Sequence, residues 1–466
     1  MPSSVALARR RLLDDIRSGN SAAGSDMLAA TSVGKLACPQ EELAVLHTAS
    51  PFTPARRGRE VCEAMPLPSS SLVLLDGSTG HELKARGPRS HADELRLELF
   101  DKVNALGIGA QGLGGLTTVM DVKVKEYPTH AANKPVAVIP SIGGPLMRSC
   151  YAGEVITWSS PAAEDDGISL LRDVLRRYLG TAGRLGMMMG RETALRMPLA
   201  DFLALQDSMQ GTMNNMALHD MTAAVQRIRM VKSRREIAKI RHICGLACDV
   251  FEGLPAWVGA GIPLSGLFRR FKSEALGAGV DDVSYLVGSA GPDGYDDIIA
   301  PPSDRPLAAG DVLMLDTGCV WDGYFCDFDR NFAIGSASQT VRDAHYRLDD
   351  AVEAALNVVR PGIAARDLFL AMDAVLRPDG TDAVEGDDVG RYGHGLGIQL
   401  TETPSHAAWD TTELAAGMVL TLEPSVIYTA ADGGPRMMVA EENILLTDAG
   451  AELLTRRAPR EIPVLD

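Results

Sequence analysis

The chain has 466 residues, of which 46% are apolar and 23% charged, a composition typical of folded proteins and not of disordered chains. This length allows two or three domains. Asp and Glu (61) outnumber Lys and Arg (45), and the formal net charge is −16. Nucleic acids and anionic membranes bind basic surfaces, so neither is expected as a partner. No apolar run approaches the roughly 18 residues of a spanning helix, which also predicts no membrane partner.

The N-terminal residues and the cysteines favour a cytoplasmic protein. No apolar segment of a secretory signal follows Arg9, Arg10 and Arg11, and Asp14 and Asp15 are unusual for a transit peptide. The seven cysteines form no short metal-binding cluster. We therefore expect reduced cysteines packed in a core.

The first half of the chain shows only weak periodicity of its apolar residues. Residues 1–80 are mixed in Ser, Ala, Pro and Arg and predict a poorly ordered or linker region. Residues 135–139 predict a strand, and helical patterns alternate with short apolar runs over 165–235. A long amphipathic helix is predicted near 233–251. Ser233 lies three residues before Glu236, the signature of a capping box at its start.

A predicted hairpin rich in aspartate is the first indication of a functional site. The apolar run 311–316 ends on Asp316, and Asp322-Gly323 is a strong two-residue turn signal. With that turn, Asp316 faces Asp329 across the hairpin, and Asp327 is its diagonal neighbour on the same face. Three carboxylates on one face repel one another unless a cation compensates them or they share protons. A solvated acidic surface is disfavoured because the apolar residues of both strands need a core, so the hairpin predicts metal binding.

Two later segments add further ligand types. The apolar run 418–423 ends on Glu423, and a turn at 432–435 would place Glu423 opposite Glu441 or Glu442. His394 lies between glycines, which permit close approach of a ligand. A single histidine is more often structural, but four converging carboxylates favour a ligand. One histidine and four carboxylates suit two divalent metal ions (Mn, Fe, Co or Zn) that activate a water molecule.

At these residues the chain resembles the pita-bread metallohydrolases, a family that includes methionine aminopeptidase, Xaa-Pro aminopeptidase, prolidase and creatinase. The resemblance covers about 150–466 and is strongest from residue 231 onward. It implies an α+β fold with a C-terminal pita-bread domain, preceded by a partial α/β creatinase-type N-terminal domain and an irregular N-terminal region. It also implies a homodimer. The implied metal ligands are Asp316, Asp327, His394, Glu423 and Glu441.

The sequence departs from the family where peptidases handle their substrate. Related peptidases have a substrate-binding histidine shortly before the segment that corresponds to 302–305, where this chain has Ile298-Ile299. They have a second one seven residues after the metal-binding histidine, where this chain has Thr401. Asp329 stands where the family usually has threonine. Relatives such as creatinase, ectoine hydrolase and dimethylsulfoniopropionate lyase act on small osmolytes, and an altered pocket would fit such a substrate. The predicted pocket residues are Tyr295, Asp296, Asp297, Asp329, Thr401, His406 and Arg436.

A second resemblance lies upstream. Residues 82–140 are similar to part of class I iron–sulfur fumarate hydratase, but the similarity stops before its Asn-Cys segment and includes no evident cluster cysteines, so dehydratase activity is not expected. The chain looks like a mosaic. The predicted domains are 1–80 (linker), 81–141 (the hydratase-like fragment), 142–232 (the partial N-terminal domain) and 233–466 (the catalytic domain).

The prediction is a metal-dependent hydrolase that cleaves a C–N bond in a dipeptide or small amide or amidine through a metal-activated water. Its predicted catalytic residues are Glu423, Asp329, Tyr295, Thr401 and His406, with Glu423 also a metal ligand and proton carrier. Two alternatives use the same scaffold. One is a lyase with Asp329 or Tyr295 as base, and the other is an inactive binding protein.

Overall fold

The computed structural model divides the chain into two compact units, Met1–Ile228 and Arg229–Asp466. It describes residues 136–150, 154–179, 184–193, 197–210, 217–220, 222–378 and 390–466, with the backbones of 43–45, 72–75 and 116–119. The predicted linker and the hydratase-like fragment lie almost entirely outside these residues. No helix among the described residues is long and apolar enough to cross a membrane.

The first unit contains parallel strand pairs and helices. Its strands are β1 Leu43–Val45, β2 Leu72–Leu75, β3 Leu116–Val119, β4 Val136–Pro140, β5 Glu154–Trp158, β6 Arg184–Met187 and β7 Ala217–Asp220. The helices of this region are α1 Gly144–Cys150, α2 Ile168–Leu179, α3 Leu199–Gln210 and α4 Thr222–Met230, the last of which ends at the start of the second unit. β6 pairs in parallel with β1 and β7, and β4 pairs in parallel with β5. β2 and β3 are antiparallel. Strand β4 confirms the strand predicted at 135–139.

The second unit is an α+β domain. Its helices are α5 Arg234–Gly253, α6 Leu264–Ala278, α7 Gln339–Val358 and α8 Ala365–Leu376. Its longer strands are β8 Asp282–Pro292, β9 Asp311–Trp321, β11 Phe328–Ile334, β14 Val419–Leu422, β15 Ser425–Thr429, β16 Pro435–Val439 and β17 Glu442–Thr447. Its shorter strands are β10 Tyr324–Phe325, β12 His394–Gly395, β13 Glu402–Ser405, β18 Gly450–Leu453 and β19 Val464–Leu465.

Strand β9 is the centre of the first sheet and is buried on both faces. It pairs with β8 on one side and with β10 and β11 on the other. Leu313 and Leu315 enter a core formed with helices α5 and α6, whereas Val312 and Met314 enter a core formed with α7 and α8. Because side chains alternate along a strand, Asp316 lies on the face of Val312 and Met314.

The acidic hairpin has the predicted register. Trp321 pairs with Tyr324 around the Asp322-Gly323 turn, and Asp316 pairs with Asp329. The second predicted hairpin is confirmed. β15 pairs with β16 next to the turn, and β14 pairs with β17 further along in the same register, so that Leu422 faces Glu442 and Ser425 faces Val439. This register places Glu423 opposite Glu441, as the sequence predicted.

Helix α5 confirms the predicted amphipathic helix and its capping box. The Ser233 side chain accepts a hydrogen bond from the backbone N–H of Glu236, and the Glu236 carboxylate accepts one from the backbone N–H of Ser233. The helix buries Ile240, Ile243 and Ala247 among other residues. Two donors that would lack partners at the helix start are thereby satisfied.

Replacing Ser233 by alanine is expected to lower the free energy of unfolding by about 1 kcal/mol, because the Glu236 N–H loses its acceptor. Urea unfolding of the full chain measures this loss. Ser233→Asp keeps an acceptor and should retain most of the stability. Equal destabilisation by both variants would contradict a capping role.

Candidate metal centre

Three potential ligands from distant parts of the sequence meet at one point. A carboxylate oxygen of Asp327, a ring nitrogen of His394 and a carboxylate oxygen of Glu441 all lie within 4.8 Å of one another. All three residues are buried. Asp327 precedes β11, His394 begins β12 and Glu441 precedes β17, so the ends of three strands build this group.

The imidazole of His394 is oriented as in a metal ligand. Nδ1 lies 3.0 Å from the carbonyl oxygen of Gly395, an arrangement that holds the proton on Nδ1 and leaves the Nε2 lone pair free. Nε2 lies 3.5 Å from Asp327 Oδ2 and 4.0 Å from Glu423 Oε2. Burial and the charge of Arg391 lower the pKa of His394 to about 3, so the ring is neutral at neutral pH.

The backbone before His394 requires glycine. Gly393 has φ +126°, a region that side-chain-bearing residues rarely adopt. A Cβ atom there would lie 2.3 Å from the Thr421 carbonyl oxygen and 2.7 Å from Cδ2 of His406. The Thr421 hydroxyl in turn accepts a hydrogen bond of 3.0 Å from the backbone N–H of His394. The glycine therefore allows the close approach that fixes His394.

Asp316 and Glu423 complete the predicted ligand set. Burial and the charge of Glu423 raise the pKa of Asp316 to about 7, while a hydrogen bond with the side chain of Tyr285 opposes this shift. Burial raises the pKa of Glu423 to about 7, and the charge of Arg391 opposes it. The Glu423 side chain is 32% exposed, against 5% for His394 and 6% for Asp327. Glu423 is therefore the ligand candidate best placed to meet a substrate.

The buried carboxylates show whether these residues fit a metal ion. Asp316 Oδ1, Asp329 Oδ2 and Glu441 Oε1 are buried without a hydrogen-bond partner. Burial and the neighbouring carboxylates raise the pKa of Asp327 and of Glu441 well above the ordinary range. A divalent cation would satisfy the unpartnered oxygens and offset the repulsion, so the donor set fits a divalent metal.

A second layer of buried polar groups fixes the ligands. The side chain of Asn443 donates to the carbonyl oxygen of Asp327 and accepts from its backbone N–H at 3.0 Å. Arg330 donates to the carbonyl oxygens of Asp329 and Glu441, at 2.6 and 3.0 Å, and pairs with the carboxylate of Glu442. These contacts lock the backbone on which the ligands stand.

The loop that follows His394 is fixed by the contacts of the buried Glu402 carboxylate. Lys232 forms a buried ion pair with Glu402, 3.0 Å long, and the Glu402 carboxylate also accepts hydrogen bonds from the backbone N–H groups of Ile398 and Gln399. Thr401, which replaces the second family histidine, lies in this loop and is partly exposed. The loop is therefore fixed, while Thr401 keeps access to solvent.

Two predicted catalytic residues are buried. Tyr295 is 1% exposed, and its hydroxyl donates to Asn331 Oδ1 and accepts from the backbone N–H of Val439. His406 is fully buried, and burial lowers its pKa to about 3. Tyr295 is therefore fixed in the core by hydrogen bonds, and the catalytic roles of Tyr295 and His406 stay predictions.

The remaining pocket candidates lie at the surface. The side chain of Asp296 is 82% exposed and 3.5 Å from Arg436, which also pairs with Asp432. Asp297 is exposed and accepts a hydrogen bond from the backbone N–H of Ile299. These contacts are those of a surface loop.

Sequence reasoning missed several residues of the site. Tyr285 occupies strand β8 beside Asp316, and its pKa is raised by burial and by the charges of Asp316 and Asp327. Arg391 precedes His394 by three residues and is a cation near the carboxylates. Asn443 could have been predicted from the sequence, because it directly follows the Glu441-Glu442 pair. Tyr285 could not, because only the β8–β9 pairing brings it to the site.

Comparison with known proteins agrees with this site. Residues 238–448 match the profile of metallopeptidase family M24, and residues 69–141 match that of fumarate hydratase. Residues 238–448 therefore resemble the domain of metallopeptidase family M24, a family of metal-dependent hydrolases. Both resemblances predicted from the sequence are confirmed.

Individual relatives carry peptidase names. The chain is 28% identical to the probable dipeptidase PepE of Mycobacterium tuberculosis over 341 residues, covering 72% of this chain and 84% of that protein. It is 27% identical to the uncharacterized peptidase YqhT of Bacillus subtilis over 261 residues, covering 55% of this chain and 71% of the relative.

Solved structures share the fold. A prolidase from Thermococcus sibiricus superposes with a TM-score of 0.62 at 24% identity, covering 72% of this chain and 85% of that one. An X-Pro aminopeptidase from Thermotoga maritima superposes with a TM-score of 0.59 at 21% identity, covering 72% and 89%. The predicted α+β pita-bread architecture is thereby confirmed.

Proposed function

We propose that this protein is a two-metal hydrolase that cleaves the C–N bond of a dipeptide or a similarly small amide. The observation that carries the proposal is the convergence of Asp327, His394 and Glu441, with Asp316 and Glu423 beside them. Manganese, iron, cobalt and zinc all suit one histidine with four carboxylates. When bound, two such ions would activate water and polarise the scissile carbonyl.

The protein groups would orient the reaction and move its protons. Glu423, whose side chain is 32% exposed, would take a proton from the attacking water and deliver it to the departing nitrogen. The hydrogen bond between Tyr285 and Asp316 would hold that carboxylate in place. The cationic Arg391 would attract a negatively charged end of the substrate, since it lies close enough to influence Asp327 and Glu423.

The proposed substrate class rests on the relatives and on the altered pocket. PepE is named as a probable dipeptidase, which favours a dipeptide. Thr401 and Ile298-Ile299 stand where related peptidases carry histidines, which favours a substrate bound differently from an ordinary Xaa-Pro peptide. Thr401 would contact the substrate from the loop. The lyase alternative is not favoured, because Tyr295 and Asp329 are buried. A homodimer and a cytoplasmic location stay predictions.

The test is a substrate panel in ¹⁸O-labelled water. The manganese-loaded protein is incubated with Xaa-Pro and Xaa-Ala dipeptides, creatine, ectoine and dimethylsulfoniopropionate, and the products are analysed by mass spectrometry. We expect cleavage of a dipeptide with ¹⁸O in the new carboxyl group, and a rate about 10²–10⁴-fold lower in Glu423→Gln. An alkene product would replace the hydrolase by the lyase, and turnover equal in wild type and Glu423→Gln would contradict the assigned proton carrier.

A further inference from the structure

The centre contains one carboxylate more than the five-residue ligand set accounts for. Asp329 pairs directly with Asp316 across β9 and β11, so the two side chains project from the same face. Asp329 therefore lies on the same face of the sheet as the ligand candidate Asp316.

A buried carboxylate oxygen without a hydrogen-bond partner is a candidate metal ligand. Among the described residues, four carboxylates have a buried oxygen without a hydrogen-bond partner, namely Asp316, Asp322, Asp329 and Glu441. Asp316 and Glu441 belong to the proposed ligand set. Asp322 lies at the hairpin turn and pairs with Lys239 at 3.3 Å. Asp329, like these two ligand candidates, has a buried oxygen without a hydrogen-bond partner. Among the described residues no cation forms an ion pair with its carboxylate.

The neighbouring polar groups do not satisfy this oxygen. Arg330 directs one nitrogen to the carbonyl oxygen of Asp329 and another to the carboxylate of Glu442. The hydroxyl of Tyr295, whose pKa is raised partly by the charge of Asp329, donates to Asn331 and accepts from Val439. A buried carboxylate left in this state costs free energy unless a further partner binds.

We propose that Asp329 is a sixth protein ligand of the metal centre and that it tunes the centre toward hard cations such as Mn²⁺ over Zn²⁺. This inference rests on the proposed two-metal function. A fifth carboxylate makes the donor set richer in oxygen and more negative, which favours metals that prefer carboxylate ligands. Asp329 is 3% exposed, whereas the Glu423 side chain is 32% exposed, so a ligand role suits Asp329 better than proton exchange with a substrate.

The test compares metal affinity in three variants. Asp329→Asn keeps the shape of the side chain, and Asp329→Thr introduces the residue usual in related proteins. Asp311→Asn is the matched control, because Asp311 is a buried carboxylate on β9 that pairs with Arg305 instead. Competition with a chelating dye gives the dissociation constants of Mn²⁺ and Zn²⁺, and elemental analysis gives the number of ions per chain.

We expect both Asp329 variants to lose affinity for Mn²⁺ by about tenfold or more, with a smaller loss for Zn²⁺. In chelator, both should resist urea better than the wild type, since one buried negative charge is gone. Asp311→Asn should leave both dissociation constants unchanged. Unchanged constants in folded Asp329 variants would overturn the ligand role alone, whereas a wild type that binds neither ion would overturn the proposed function as well.

A crystal structure of the manganese-loaded wild type answers the same question without a variant. An Asp329 carboxylate oxygen in the coordination sphere of either ion is the expected result. Two bound ions with Asp329 outside both coordination spheres would overturn the proposal while leaving the hydrolase function intact.

Discussion

Glu441→Gln is expected to bind divalent metal more than about 100-fold more weakly than the wild type and to lose hydrolysis in proportion. Replacement of a residue that hydrogen-bonds to a metal ligand typically lowers metal affinity by about 10–100-fold, so loss of a ligand itself should exceed that range. Glu441 is 2% exposed, its Oε1 has no hydrogen-bond partner, and it groups with Asp327 and His394. Elemental analysis and dye competition measure the affinity.

The matched control is Glu452→Gln. Glu452 lies on β18 beside β17 and pairs at the surface with Arg241, so its loss should leave metal binding unchanged. The metal-free Glu441→Gln protein should remain folded, because removal of one charge relieves the repulsion among buried carboxylates. Full metal occupancy with normal affinity in Glu441→Gln would remove Glu441 from the centre.

The metal-free protein is expected to lose stability as pH rises from about 4 to about 8. In the unfolded chain the carboxyl groups ionise near pH 4. In the folded chain burial raises the pKa of Asp316 and of Glu423 to about 7, with a further contribution to Asp316 from the charge of Glu423, and burial and neighbouring carboxylates raise the pKa of Glu441 well above its ordinary value. Between these values the folded state binds more protons, so each rise in pH favours unfolding. The shift of Asp316 alone corresponds to a loss on the order of 4 kcal/mol.

Divalent metal should reverse this trend. Ligands bind metal in their deprotonated form, so stabilisation by Mn²⁺ should grow as pH rises. Urea unfolding across this pH range, in chelator and in Mn²⁺, measures both curves. Asp316→Asn should flatten the metal-free curve because one titrating group is removed. A metal-free stability that increases with pH over the same range would show that these carboxylates are not held together in the folded protein.

The metal-centre geometry was partly predictable because part of it is local. The Asp322-Gly323 turn fixes the hairpin, and the period of two along a strand then places Asp316 opposite Asp329. The capping box of Ser233 and Glu236 is equally local, since it depends on residues three apart. The approach of Glu423 to Glu441 was predictable in the same way, because the turn near 432–435 sets one register for β15 with β16 and for β14 with β17.

The residues whose burial the sequence did not predict are those surrounded by distant parts of the chain. Tyr295 and His406 carry reactive side chains and are both buried. Nothing near either residue in the chain distinguishes a pocket wall from a core position. The same holds for Tyr285, which reaches Asp316 only because β8 pairs with β9.

The sequence by itself determined the local elements of this protein: the helix cap, the acidic hairpin, the glycine-flanked histidine and the family they indicate. Those features depend on backbone periodicity and on hydrogen bonds between close neighbours, which residue spacing records. Only the tertiary structure decided which carboxylates are buried together, which oxygens lack partners and which polar groups hold the ligands. Burial depends on which faces of distant strands and helices pack against one another, and the spacing of residues along the chain does not determine this packing.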